Sequence, residues 1–441
     1  MLDNANHLVS EVASSSRNRA IARNVQFRSL SGSLAILLLL AGLFTPSTAR
    51  SQDQEETKGV PAEPADAQQI REQIAAVQKL QSILPDRGAP LYFLAVAGEH
   101  LRETLEPLAL LKECLALQEG FDPSGDPAFL EFKESKEFSS LIDDVHTDFP
   151  ATFHAREAFR TIEKDLVPEG LAYDAQRNVF YMGSLNRRKI IEIGRDRQIS
   201  DFVPAERYGL LPVRGIKVNP ADDTLWADSS SETGKSEFLH FDGTGKLLGR
   251  FALEVAGKHG FHDLVIRKNG EVITTDNLAN ALFRFDPSAH TFKTILVHRR
   301  LFYPSGIALG GDDNTLYVAD SLGVLKIDLG SGESRDVDPG PRSTLAGIDG
   351  LYWHAGNLIG VQTGIGTPRV AAFHLSSDGL RVTRTTVLES RTRFCILPTT
   401  GAIVGSDFFF IANSQLDNMN DGKVMDVTRL GAVRVGVLRL P

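Results

Sequence analysis

Cysteine is scarce in this sequence of 441 residues, which contains only Cys114 and Cys395. Two thiols so far apart cannot form a disulfide framework or a zinc-ligand cluster. Basic residues are also in deficit: 47 Lys and Arg against 56 Asp and Glu give a formal net charge of −9. Because a nucleic-acid-binding protein normally shows a basic surplus, nucleic acid is not expected as a partner. The Gly-x-Ser-x-Gly elbow, the phosphate loop and the dinucleotide fingerprint are absent, which disfavours the enzyme classes that depend on them.

Long apolar runs are missing except for one, Ser33–Phe44, whose 12 residues are SLAILLLLAGLF. A membrane-spanning helix needs about 20 apolar residues, so this run is too short to span comfortably. Four arginines precede it, and the small residues Ser47, Thr48 and Ala49 follow it. The pattern predicts a signal peptide over 1–49, with an uncleaved anchor as the alternative. We therefore expect an exported protein, periplasmic or secreted, with no membrane span after cleavage, and a polar linker over 50–65.

Helical periodicity begins near Asp66 and predicts a small α-helical domain over 66–160. The apolar residues that recur every three or four positions are Ile70, Ile74, Val77, Leu80 and Leu84. The helical run over 89–95 and Leu108–Leu111 resemble a degenerate tetratricopeptide helix pair. That resemblance implies a groove for a protein partner, whereas a plain helical hairpin implies a cap packed on the next domain.

The pattern changes to short strands over 161–441, where one two-strand unit recurs six times. The units start at residues 169, 214, 262, 305, 349 and 400, and the spacing between them runs from 43 to 51 residues. A period of about 40 to 50 residues with several strands per unit is typical of β-propeller blades. The predicted fold class is therefore mainly β, a six-bladed β-propeller preceded by the small helical domain.

The innermost strands of a propeller converge on a central channel, so the residues that open the six units should form one ring. The residues at these positions are Glu169, Arg214, His262, Asp263, Ser305, Asp349 and Thr400. Carboxylate oxygens contributed by different blades suit a hard divalent cation such as Ca²⁺. The sequence thus predicts a cation site in the channel.

The propeller resembles the regucalcin/gluconolactonase family and its strictosidine-synthase-like and paraoxonase-like relatives. Pro168-Glu169-Gly170-Leu171 matches the family's opening Pro-Glu-Gly motif, and Asp349-Gly350 matches a later Asp-Gly motif. The resemblance implies that Glu169 and Asp349 are metal ligands. Ser305-Gly306-Ile307 stands where the family has an Asn-Gly motif that supplies an amide ligand. Ser305 is therefore the third expected ligand, and its short hydroxyl is a departure from the family.

The resemblance implies hydrolysis of a small-molecule lactone or ester, with the cation polarising the carbonyl. Asp349 or His262 is expected to take a proton from water, and Arg214 and Asp263 are expected to bind substrate. The residues also allow other interpretations: Glu169 paired with Arg214 across the ring, Asp349 as a turn-capping carboxylate, and His262 and Ser305 as structural residues. The alternative function is a non-catalytic propeller that binds a ligand or a protein, with a degenerate metal site.

Overall fold

The computed structural model describes residues 65–98, 105–297, 301–420 and 422–441, and the predicted signal peptide over 1–49 lies outside them. The first elements are four α-helices: α1 Ala65–Leu80, α2 Gly88–Gly98, α3 Pro107–Ala116 and α4 Lys136–Asp148. Within the described ranges, no helix combines the length and apolarity needed to cross a membrane. Both cysteines are free and buried.

Between α3 and α4 lies Asp126-Pro127, a sequence typical of the start of a helix because proline suits the first helical position. Asp126 does act as a cap, because its side chain accepts a hydrogen bond from the Ala128 N–H at 3.0 Å. The segment it opens, Pro127–Phe132, is nevertheless a 3-10 helix. Helix α4 starts only after a second cap, at which Ser135 Oγ accepts from the Phe138 N–H at 3.1 Å. The tetratricopeptide character of the region stays a prediction.

Two short strands follow α4, β1 Thr152–Phe153 and β2 Arg156–Arg160, before the blades begin. Blade one contains β3 Leu171–Asp174, β4 Val179–Gly183, β5 Ile190–Ile193 and β6 Ile199–Val203. Blade two contains β7 Val213–Asn219, β8 Thr224–Ser230, β9 Ser236–Phe241 and β10 Leu247–Ala252. Blade three contains β11 Phe261–Ile266, β12 Val272–Asp276, β13 Ala281–Asp286 and β14 Thr291–Val297.

The other three blades repeat the same antiparallel order. Blade four contains β15 Ile307–Leu309, β16 Thr315–Asp320, β17 Gly323–Asp328 and β18 Ser334–Asp336. Blade five contains β19 Ile348–His354, β20 Asn357–Gln362, β21 Arg369–Leu375 and β22 Val382–Ser390. Blade six contains β23 Gly401–Val404, β24 Asp407–Ile411 and β27 Arg434–Arg439, with the hairpin β25 Met419–Asn420 and β26 Lys423–Val424 inserted before β27.

The ring closes through the N-terminal strands. Strand β2 pairs antiparallel with β27 and becomes the outermost strand of blade six, and β1 adds a fifth strand to blade five. One buried apolar cluster lies between each pair of neighbouring blades, including blades six and one. The six-bladed propeller is confirmed. It includes residues 156–160, which precede the predicted boundary at residue 161. The reason is that β2, which precedes blade one in the chain, supplies the outermost strand of blade six.

Glycine after the ring residue allows the innermost strands to come close. A Cβ atom built on Gly170 would lie 2.0 Å from the Arg214 carbonyl oxygen of blade two. A Cβ atom on Gly306 would lie 2.6 Å from the Leu351 backbone nitrogen of blade five. Neither distance leaves room for a methyl group. Glycine is therefore required at these two positions because neighbouring blades pack closely at the channel.

Replacing Gly170 with alanine should therefore lower the free energy of unfolding, by about 2 kcal/mol, because blades one and two must separate. Gly323→Ala is the matched control, since its Cβ would meet no atom within 4 Å. Urea unfolding of the two variants measures the difference. Equal stability of the two variants would show that the close approach at Gly170 is not required.

The helical region packs on the upper face of the propeller, which we define as the end where the innermost strands begin. Its apolar cluster includes five propeller residues from loops at that end: Phe302, Tyr303, Leu322, Ala346 and Ile365. These loops precede β15 and β19 or join the second and third strands of blades four and five. The helices therefore form a cap over blades four and five, on the face from which the predicted ring residues project.

Candidate active site

The residues predicted to form a ring lie at or just before the start of an innermost strand in each of the six blades. Three of them converge in the channel: Glu169 of blade one, His262 of blade three and Asp349 of blade five. His262 Nε2 lies 2.8 Å from Glu169 Oε1 and 3.4 Å from Asp349 Oδ1. The Glu169 and His262 side chains are each 4% exposed, whereas that of Asp349 is 17% exposed. Asp349 is therefore the member most open to a ligand.

Arg214 of blade two completes this cluster from the side of Glu169. Its Nη1 donates to Glu169 Oε2 at 2.9 Å, so the two oxygens of Glu169 face two different partners. Burial disfavours the charged form of Glu169, but the charges of Arg214 and His262 together lower its pKa below the usual range. Burial opposes the charge of His262 as well, yet the adjoining Glu169 carboxylate raises its pKa. Burial raises the pKa of Asp349, and Glu169 adds to that rise.

Several buried polar atoms around the cluster have no hydrogen-bond partner among the described residues. They are Arg214 Nε, His262 Nδ1, Asp228 Oδ2 and Asp263 Oδ2. Folded proteins rarely leave such atoms unpaired, so a ligand, an ion or ordered water is expected to satisfy them. Because these unpaired atoms cluster around the channel, the channel is the candidate binding site.

Asp263, predicted to bind substrate, forms an ion pair with a residue that sequence analysis did not select. Lys217 Nζ lies 2.9 Å from Asp263 Oδ1 and 5.5 Å from the centre of the Tyr352 ring. The Asp263 side chain is 1% exposed, so the pair links the inner strands of blades two and three. The sequence gives no signal for Lys217, because a residue three positions after Arg214 faces the opposite side of a regular strand. A register shift between Val213 and Ile216 interrupts that alternation in β7.

Ser305, predicted as a metal ligand, directs its hydroxyl toward the backbone. Its Oγ donates to the Tyr303 carbonyl oxygen at 3.4 Å, and its own carbonyl accepts from Thr275 Oγ1 at 2.7 Å. The second of these bonds connects blade four to blade three. The structure therefore brings His262, rather than the Ser305 hydroxyl, to Glu169 and Asp349.

The donor atoms of Glu169, His262 and Asp349 all lie within 4.8 Å of one another. A cation with bonds of about 2.1 Å holds neighbouring ligand atoms about 3.0 to 3.4 Å apart. The separation of His262 Nε2 from Asp349 Oδ1, 3.4 Å, is in this range, and its separation from Glu169 Oε1, 2.8 Å, is slightly shorter. The residues thus fit a divalent cation. One imidazole and two carboxylates suit Zn²⁺ or Mn²⁺, whereas Ca²⁺ takes oxygen ligands.

The chain matches no family model and no curated protein. Among solved structures it is similar to virginiamycin B lyase from Staphylococcus aureus, with 16% identity, a TM-score of 0.47, and coverage of 65% of this chain and 99% of that one. It is also similar to a gluconolactonase from Xanthomonas campestris, with 17% identity, a TM-score of 0.46, and coverage of 66% and 94%. An aldose sugar dehydrogenase from Streptomyces coelicolor gives 12% identity, a TM-score of 0.46, and coverage of 66% and 99%. At 12–17% identity these similarities show only a shared propeller fold. Gluconolactonases are among the structural neighbours that have this fold.

Proposed function

We propose that this protein is an exported metal-dependent hydrolase of lactones or similarly activated esters. The observation that carries the proposal is the convergence of Glu169, His262 and Asp349 from three different blades at the buried centre of the ring. A divalent cation held by these three residues would polarise a substrate carbonyl. The unpartnered Arg214 Nε beside them supports the proposal, because it offers a charged donor to a substrate oxygen.

The positions of the other groups indicate a separate role for each. Asp349 is the most exposed carboxylate of the cluster, so it is placed to take a proton from water in the channel. Glu169 is held between Arg214 and His262 and keeps both in place. The helical cap covers the same face and restricts the directions from which a substrate can approach.

The cation is tested by thermal unfolding of the EDTA-treated protein with added Mn²⁺, Zn²⁺ or Ca²⁺. A cation at a hundredfold excess over its dissociation constant should stabilise the protein by about 2.7 kcal/mol. Asp349→Asn should lose most of this gain, whereas Glu333→Gln, an exposed carboxylate on an outer hairpin, should keep it. The ion that gives the largest gain identifies the metal, and Ca²⁺ is the ion predicted from the carboxylates of the ring.

Activity is tested on δ-valerolactone and an aryl acetate with the same proteins. We expect the wild-type protein to hydrolyse at least one of them, and Asp349→Asn to lose about a hundredfold or more in kcat. Cation binding without hydrolysis of either compound would contradict the hydrolase proposal.

The alternative function, a non-catalytic binding propeller, has one observation in its favour. Glu169 already has two cationic partners, Arg214 and His262, and the Ser305 hydroxyl does not join it. In that case no divalent cation would stabilise the protein. The protein partner predicted for the helical region also remains a proposal, since one face of these helices packs on the propeller.

A further inference from the structure

Tyr303 has an unusual backbone and an unusual location. Its φ angle is +58°, in the left-handed region that aromatic residues seldom adopt. The surroundings hold it there: its N–H donates to Asn280 Oδ1 at 2.8 Å, and its carbonyl oxygen accepts from Ser305 Oγ at 3.4 Å. Strain of this kind persists only where neighbouring contacts impose it, and it is concentrated at functional sites.

The helical cap is one of the elements that impose this conformation. The Phe93 ring of helix α2 packs edge-on against Phe302, with the ring centres 5.2 Å apart. The Phe302 N–H donates to the buried Asp320 carboxylate at 3.0 Å. Tyr303 itself belongs to the apolar cluster of the helical region. The segment before blade four is therefore fixed between the cap and the channel.

Tyr303 is 7% exposed and lies two residues before the ring residue Ser305, on the face of the propeller that the helices cover. Burial raises its pKa, Arg214 lowers it, and Glu169 and Asp349 raise it, so the hydroxyl is electrostatically coupled to all three. Among the described residues, none accepts a hydrogen bond from this hydroxyl. This nearly buried hydroxyl therefore has no acceptor among the described residues. A ligand bound in the candidate active site could supply one.

We propose that Tyr303 is a catalytic residue, which donates a hydrogen bond to the carbonyl oxygen of a lactone bound beside Glu169, His262 and Asp349. The helical cap, through Phe93 and Phe302, is then a positioning element of the active site. This inference rests on the proposed hydrolase function. It deepens that function, because it assigns the donor that meets the negative charge developing on the substrate.

Hydrolysis of the lactone requires addition of water and cleavage of the ring C–O bond. Water adds to the carbonyl carbon while its proton passes to Asp349, and the carbonyl oxygen receives the electron pair of the broken π bond. Tyr303 stabilises this oxygen by its hydrogen bond and keeps its own proton. The electron pair on this oxygen then re-forms the carbonyl, the ring C–O bond breaks, and the departing oxygen takes the proton from Asp349, so that the product is a hydroxy acid.

Tyr303→Phe removes only the hydroxyl and is tested with δ-valerolactone. Because loss of one such donor costs about a hundredfold or more in kcat, we expect a fall of that size, with KM changed less than about threefold. Tyr317→Phe is the matched control: this buried tyrosine donates to the Gly379 carbonyl oxygen at the opposite end of the propeller. Phe93→Leu should lower kcat by a smaller factor without altering KM.

Cation-induced stabilisation separates this proposal from the one on which it rests. Tyr303→Phe should keep the full thermal shift with the cation, since the three ligands remain. If Tyr303→Phe retains kcat within twofold of Tyr317→Phe while Asp349→Asn is inactive, Tyr303 has no catalytic role although the hydrolase stands. If the wild-type protein shows neither a cation shift nor lactone hydrolysis, both proposals are wrong.

Discussion

Replacing Glu169 with glutamine is expected to lower the free energy of unfolding by about 3 kcal/mol in cation-free buffer. The carboxylate is 4% exposed and contacts Arg214 and His262, at 2.9 Å and 2.8 Å. The variant leaves the guanidinium in the channel without its counter-charge, and a buried charge that loses its partner is costly. Chemical unfolding in the presence of EDTA measures the loss.

A double-mutant cycle with Arg214→Gln isolates the ion pair from other effects of the substitutions. The double variant should be more stable than the sum of the two single effects implies, by about 2 kcal/mol, because both charges leave together. The exposed pair Glu157 and Arg160, treated in the same way, should show little coupling. Additive effects at Glu169 and Arg214 would mean that the pair does not form in solution.

The same cycle decides between the two interpretations of Glu169 that the sequence leaves open. A pure salt bridge predicts coupling to Arg214 and no cation-induced stabilisation. A ligand role predicts that Glu169→Gln also abolishes the cation shift. The geometry allows both at once, because Oε2 faces Arg214 and Oε1 faces His262.

The fold could be predicted from the sequence because one two-strand unit recurs six times at a spacing of 43 to 51 residues. Each blade places at least one polar residue at the start of its innermost strand, and glycines such as Gly170 follow where neighbouring inner strands nearly touch. This repeat also brings Glu169, His262 and Asp349 to one ring. Their actual contacts follow from strand register within separate blades.

The partners of three side chains could not be predicted from the sequence, for two physical reasons. A register shift in β11 between Phe261 and Leu264 interrupts the strand alternation, so both His262 and Asp263 are buried, with different partners. The direction of the Ser305 hydroxyl depends on the left-handed turn at Tyr303, which no residue pattern reveals.

The face covered by the helices could not be predicted either, because it depends on contacts between residues far apart in sequence. Asp86, between α1 and α2, accepts hydrogen bonds from Thr344 Oγ1 at 2.7 Å and from the Leu345 N–H at 2.9 Å. It also accepts from the Ala89 N–H at 3.1 Å, at the start of α2. One buried carboxylate thus fixes the cap to blade five.

Asp86→Ala should therefore destabilise the attachment of the cap by about 3 kcal/mol, since it leaves three buried donors unpaired. Urea unfolding measures the loss, and limited proteolysis should show earlier cleavage within residues 65–148 than in the wild-type protein. Asp143→Ala, an exposed residue on α4, is the control and should behave like the wild type. Unchanged protection of this region in Asp86→Ala would show that other contacts hold the cap.

Asp86 also makes the stability of the interface between the cap and the propeller depend on pH. Burial raises the pKa of Asp86 from 3.8 to about 6, so the folded protein keeps a proton that the unfolded chain has lost. Its contribution to stability should fall as the pH rises from about 4 to about 6. Burial raises the pKa of Glu119, which accepts from the Gly88 N–H, to about 7, and it acts in the same direction. Asp86→Asn cannot titrate, so its unfolding free energy should vary less with pH across that window. An unchanged slope would mean that burial does not raise the pKa of Asp86.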